Sequence, residues 1–327
     1  MKLKETPTGS NKWKYTSVVL AILLVATVIY IFAYARGDIA VREGQRLYPM
    51  IDITRHLIPQ EDFLPTLQPL RIRLRELVAA EPDMKISVYI EYLNTGANIN
   101  LLPEERFIPA SLSKLPIAIA TLGTIERGIW TLDQVFTLEK EDVFSVSSDI
   151  HDQPIGTKFT ARELLEDLLI RSDNTAYRIL LRNLPGSEIS AFSEAIGLDN
   201  LFNEKGEVTT KEYSRTVRTL YTASYLNREH SQYLLELMNK AEFTDFLRMP
   251  VPEEVPFPHK FGVGLDNSTY NDSGIVYLEN RPYLITVMIE SLDMVDSEVE
   301  LTEVKRTMRA ISNMSYQFFS TANYETP

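Results

Sequence analysis

Between Tyr15 and Ala35 the chain runs without a charge (YTSVVLAILLVATVIYIFAYA). At about 1.5 Å of rise per residue a helix of that length crosses a hydrocarbon core of about 30 Å, so the pattern predicts one transmembrane anchor over 15–35. Lys2, Lys4, Lys12 and Lys14 precede it, and Arg36, Arg42 and Arg46 follow. This slight bias favours a cytoplasmic N-terminus at 1–14 and a single-pass protein of the cytoplasmic membrane whose main domain is extracytoplasmic. A cleaved signal peptide is the alternative reading, because Ala33-Tyr34-Ala35 resembles a small-residue cleavage site; the apolar run is longer than such signals use. Residues 36–65 are mixed and weakly periodic, as in a membrane-proximal stalk.

From residue 66 the periodicity is that of a folded domain. Leu70, Ile72, Leu74, Leu77 and Val78 recur at near-helical intervals. Met84 to Leu93 then alternates with β-branched and aromatic residues, and Asn94-Thr95-Gly96 supplies a turn for a hairpin return over 97–102. A long helical block is predicted from Ser111 to about Leu237, punctuated by Gly128, Pro154-Ile155-Gly156 and Pro185-Gly186, with Thr160 as the N-cap of ARELLEDLLI. After Pro250 come three strand patterns, PHKFGVG, TYNDSGIVYL and YLITVMIESL, with a turn at Glu279 to Pro282. Leu301, Val304, Met308, Ile311 and Met314 form one stripe of a closing helix over 297–318, leaving 319–327 as a tail. The order predicts an α/β fold of the α+β type: an antiparallel sheet built from both ends of the domain, flanked by helices, with an all-helical subdomain inserted between its halves.

Composition narrows the chemistry. The 327 residues are 44% hydrophobic and 24% charged, as in an ordinary folded protein. A net charge of −12 argues against nucleic acid as a partner, since phosphate binding needs a basic surface. Cysteine is absent, which excludes thiol catalysis, disulfides and thiolate-bound zinc.

The candidate chemistry begins in ASLSKLPIAIA, residues 110–120, where Ser111 and Lys114 stand three apart at the head of an apolar run. On a helix the two share a face, so the ammonium reaches the hydroxyl. A lysine facing a packed interior loses its proton or finds partners, and a deprotonated one is a general base for serine. The helix N-terminus also aims backbone N–H groups at whatever Ser111 attacks. The pair has a plainer reading too: Lys114 reaches solvent and Ser111 only caps the helix. Further on, RSDNTA places Ser172, Asp173 and Asn174 at the end of an amphipathic helix, and Lys260-Phe261-Gly262 opens the strands after Pro250.

These three elements, in this order, resemble the signature set of the penicillin-recognising serine hydrolases, and residues 66–318 resemble the class A β-lactamase family in particular. FIPASLSKLPIAIA, LLIRSDNTA and HKFGVG with NDSGIVY carry the resemblance. It implies a site between sheet and helical subdomain, with Ser111 the acylated nucleophile and Lys114 its base or relay. Ser172 would pass a proton to the departing nitrogen, Asn174 would bind a substrate amide, and Lys260 would supply positive potential. The oxyanion would sit between the N–H groups of Ser111 and Val263, and Gly262 would line the substrate site with them. The implied substrate is a small-molecule β-lactam or a peptidoglycan peptide, and no cofactor or metal is called for. A D,D-peptidase or penicillin-binding-like enzyme and a catalytically degenerate envelope binding protein are the alternatives.

The sequence departs from that family at two places. The loop from Gly197 to Thr209 is cut down, and Glu204 and Glu207 are its only glutamates to stand for the deacylating base. Phe261 occupies the position of a Thr or Ser whose hydroxyl would bind a substrate carboxylate; losing such a bond costs about 1.5–3 kcal/mol. The alternative for that stretch is that Phe261 points into the core and Lys260 lies on the surface. His259 reads as a half-exposed strand residue. The acidic run over 293–305 reads as the first turn of the last helix, where carboxylates oppose the helix dipole.

Overall fold

The computed structural model describes residues 15–28, 30, 66–144, 150–292 and 297–321. Residues 15–28 form helix α1, with Tyr30 also helical. The predicted anchor over 15–35 is thus covered in part, and the cytoplasmic segment 1–14 and the stalk 36–65 lie outside the described residues. Among the described residues no helix is long and apolar enough to cross a membrane.

The main domain opens with α2 (Gln68–Ala79), followed by the hairpin β1 (Met84–Tyr92) and β2 (Ala97–Leu101). Gly96 sits at the turn with φ +76°, a conformation open to glycine at little steric cost, and its N–H bonds the Tyr92 carbonyl at 2.8 Å. The C-terminal part supplies β5 (His259–Gly264), β6 (Thr269–Val276), β7 (Tyr283–Ser291) and α9 (Ser297–Ser320). All five strands join one antiparallel sheet in the order β2-β1-β7-β6-β5. The pairing of β1 with β7 joins its two halves, giving the sheet built from both ends of the domain that the order of elements predicts.

Both faces of the sheet are covered. Ile86, Val88 and Ile90 of β1 and Ile285, Val287 and Ile289 of β7 point to the face holding α2 and α9, where Leu70, Leu74, Val304, Met308 and Ile311 complete the core. The opposite face meets α7 (Thr210–Thr222): Ser87 Oγ lies 2.8 Å from Thr210 Oγ1, and Thr286 Oγ1 lies 2.8 Å from Ser214 Oγ and 2.6 Å from Ser273 Oγ. Buried hydroxyls on this face satisfy one another, so polar side chains in these strands are internal. Phe319, assigned to the tail by its position, is buried and stacked on Tyr283 with ring centroids 4.3 Å apart.

The inserted part holds α3 (Lys114–Glu126), α4 (Ala161–Glu166), α5 (Asn174–Asn183), α6 (Gly186–Ala195), α7 and α8 (Arg228–Asn239). It is not all helical. Val135–Thr137 (β3) and Lys158–Thr160 (β4) pair as a two-stranded antiparallel ribbon. Strands of three residues are too short to show a period of two, which is why the pattern misses them. Thr160 caps α4 as predicted, accepting from Glu163 N at 3.2 Å while Glu163 Oε2 accepts from Thr160 N at 2.7 Å. Past α4 the helix widens into a π-turn over Asp167–Arg171.

Candidate active site

Three separate segments deliver the predicted groups to one place. Ala110, with φ +49°, starts a 3₁₀ turn (Ala110–Ser113) that leads into α3 and carries Ser111 at its head. That entry is clamped from outside. Asn271 Nδ2 on β6 donates to the Ile108 and Pro109 carbonyls at 3.0 and 3.2 Å, and Tyr213 Oη on α7 donates to the Leu112 carbonyl at 2.9 Å. Phe107 and Val208 exchange both backbone hydrogen bonds at 3.0 Å.

Ser172 terminates the π-turn in the left-handed region at φ +59°. Asp173 then caps α5, its carboxylate accepting from Ala176 N at 2.5 Å. The turn aims Ser172 at Lys114 while the cap fixes the direction in which Asn174, half-buried as the first residue of α5, leaves. Asp173 is itself buried, which raises its carboxyl pKa.

Lys114 Nζ donates to Ser111 Oγ at 2.9 Å, to Ser172 Oγ at 3.1 Å and to the Ser172 carbonyl at 2.5 Å. From the far side Lys260 Nζ donates to the same Ser172 Oγ at 2.8 Å and to the Phe261 carbonyl at 2.9 Å. The four polar groups thus form one connected chain, Ser111–Lys114–Ser172–Lys260. Lys114 is 2% exposed and Lys260 0%. Burial lowers the Lys114 pKa to about 8, opposed by the nearby Asp173 carboxylate. Lys260 is pushed well below the ordinary lysine value by burial and then by the Lys114 charge, against the pull of Asp272. Lys260 is therefore not a surface lysine, whereas Phe261 is half-buried and packs against the hydrophobic core, as the alternative for that stretch expects.

Strand register decides which backbone groups face the cleft. Ile275 N donates to the Pro258 carbonyl at 3.1 Å, so hydrogen-bonded pairs recur at Lys260–Ser273 and Gly262–Asn271. The N–H and C=O of Phe261 and Val263 then point away from β6, and β5 is the edge of the sheet. Gly262 brings that edge against the serine turn: a Cβ there would fall 2.6 Å from Pro109 O and 2.9 Å from Ser111 N. Val263, the next residue along that edge, follows directly on this close approach.

His259 is 1% exposed, not half-exposed, and its Nδ1 lies 2.9 Å from Asp272 Oδ1. Asn271, Asp272 and Tyr213 were given no role by the sequence, although Asn271 and Asp272 lie in the NDSGIVY stretch that carries the resemblance. Glu207 accepts from Asn203 Nδ2 at 3.0 Å, and Glu204 is exposed on the turn closed by Gly206 N on Asn203 O at 2.8 Å. Among the described residues neither carboxylate is hydrogen-bonded to Ser111 or Lys114.

Residues 69–319 match the profile of the β-lactamase enzyme family. The chain is 25% identical over 261 residues to a β-lactamase of Streptomyces lavendulae, covering 73% of this chain and 85% of that one. It superposes on PBP-A with a TM-score of 0.69 at 22% identity, over 77% of this chain and 96% of the other. An ancestral class A β-lactamase gives a TM-score of 0.67 at 25% identity, over 76% and 99% of the two chains.

Proposed function

The chain belongs to the β-lactamase enzyme family as a β-lactamase-like serine hydrolase, and from that premise we propose that Ser111 is acylated by a β-lactam or a related cell-wall acyl-peptide and released slowly. The observation that carries this reading is the Lys114 ammonium, placed between Ser111 Oγ and Ser172 Oγ at 2.9 and 3.1 Å. In its neutral form Lys114 takes the Ser111 proton as Oγ attacks the acyl carbon. The oxyanion collects the Ser111 and Val263 N–H groups, already oriented before the reaction starts. The proton then passes from Lys114 through the Ser172 hydroxyl to the leaving nitrogen, as the amide bond breaks. Lys260 keeps Ser172 in place and adds positive potential, and Asn174 binds the acyl side-chain amide.

Hydrolysis of the resulting ester needs a base for water. The shortened loop holds Glu207 in a hydrogen bond from Asn203 and leaves Glu204 open to solvent, which favours a penicillin-binding-like, slowly deacylating enzyme over rapid turnover. In the same reading residues 15–35 anchor the chain in the cytoplasmic membrane with the catalytic domain outside, on the strength of the uncharged run and the lysines before it.

The test is intact-protein mass spectrometry of the full-length chain after incubation with benzylpenicillin, alongside Ser111→Ala. A persistent added mass absent from the variant is the expected result. An adduct that appears and disappears while the drug is consumed would replace slow release by true β-lactamase turnover, and no adduct would end the acylation reading.

A further inference from the structure

Beside Lys260 the site turns aromatic. The Phe261 ring is stacked on Phe243 with centroids 4.1 Å apart and planes at 25°, and Phe243 in turn meets the buried Phe246 edge-on at 4.8 Å. Phe243 and Phe261 both pack against the hydrophobic core and are half-buried, so one part of the stack is covered by the core and the rest faces solvent. The Phe261 centroid lies 4.3 Å from Lys260 Nζ. That ammonium already donates to Ser172 Oγ and the Phe261 carbonyl, so its third side is covered by the ring and no part of the residue is exposed. An incoming group meets the ring before it meets the charge. Arg248, on the same loop as Phe243 and Phe246, spends its guanidinium on the carbonyls of Val251, Pro252 and Glu253.

Ser172 is the group that hands a proton to the leaving nitrogen, and the stack borders its partner Lys260. A leaving portion held there lies against π faces. A carboxylate in that place would surrender its water without an exposed cation to replace it, whereas an apolar or aromatic group gains contact area and ring stacking. We propose that Phe243 and Phe261 form the leaving-group subsite and select acyl donors whose leaving portion is neutral and apolar or aromatic over donors that carry a carboxylate there. This rests on acylation at Ser111 and adds to it the class of donor.

The discriminating compounds are benzylpenicillin, its methyl ester and its benzyl ester, which share one β-lactam ring and one acyl side chain. The rate of adduct formation on the full-length chain is followed by mass spectrometry and divided by each compound's own rate of ring opening by hydroxide. The benzyl ester should acylate Ser111 about tenfold faster than the free acid, with the methyl ester between them. Phe261→Thr should bring the ratio to about one or below. Should that variant fail to fold, Phe243→Leu, which keeps the site apolar and removes the stack, should abolish the advantage of the benzyl over the methyl ester. A free acid that reacts as fast as the benzyl ester in the native chain, or a ratio indifferent to both substitutions, overturns the subsite while leaving acylation intact. Absence of any adduct from all three compounds overturns acylation and the subsite together.

Discussion

His259 Nδ1 lies 2.9 Å from Asp272 Oδ1, both side chains shut off from solvent, one residue before Lys260 on the strand that lines the cleft. The other oxygen of Asp272 accepts the Leu247 N–H at 3.1 Å, so one carboxylate ties β5, β6 and the loop before β5 together. Asp272→Ala strands an imidazole and a backbone donor in the interior. A loss of about 1.5–3 kcal/mol in urea unfolding is expected, the scale of hydrogen bonds to a charged group whose donors are left buried. A loss under 1 kcal/mol would mean that this junction does not hold the strand in place.

The pH dependence of acylation follows from Lys114, whose pKa burial lowers to about 8. Burial disfavours the charged form, and only the neutral amine can accept the Ser111 proton. The acylation rate should therefore rise with pH, inflect near 8 and level off above it. Lys114→Met should remove the inflection and slow acylation by about 10²–10⁴-fold. A native rate that stays flat between pH 6.5 and 9.5 would exclude Lys114 as the base.

Gly262 stands where no side chain fits. A methyl group at this position would meet Pro109 O at 2.6 Å and the Ser111 and Leu112 nitrogens at 2.9 Å, all backbone atoms that cannot swing aside. Gly262→Ala should push β5 from the serine turn and part the two oxyanion donors. Acylation should fall by about 10²–10³-fold, with about 1–3 kcal/mol lost from unfolding stability through overpacking. A variant that acylates at the native rate would show that the oxyanion is held elsewhere.

For release of the acyl group, Glu204→Gln and Glu207→Gln should each leave the adduct half-life unchanged, because both carboxylates are engaged away from Ser111 or open to solvent. A half-life extended more than about tenfold by either change would assign that residue as the base, the range general-base catalysis reaches.

What the sequence made legible, and what it did not, divides along contact range. Ser111, Lys114, Ser172 and Lys260 were readable because each sits in a short motif whose local structure is set by neighbours: a helix start, a capped turn, a strand opening. The alternation of β1 and the strand patterns of β6 and β7 foretold the sheet, and Thr160 announced its helix as an N-cap. The clamp from Asn271 and Tyr213 onto the 108–112 segment spans much of the chain and leaves no periodic trace. His259 failed for a related reason: strand alternation gives the face a histidine takes, not whether a carboxylate waits on the next strand. The β3–β4 ribbon failed through brevity alone.

The sheet has one further consequence, for the order in which the protein comes into being. β7 contributes none of the reacting groups, yet it is the strand to which β1 and β6 both pair, and with β6 it holds the edge that carries Lys260 against Ser111. A nascent chain that has just emitted Gly264 possesses every group the chemistry uses but neither of the strands through which the Lys260 edge is held. Its serine stays inert until the last strand has left the ribosome, so a premature stop codon ahead of β7 yields a polypeptide with a complete set of motifs and no reactivity.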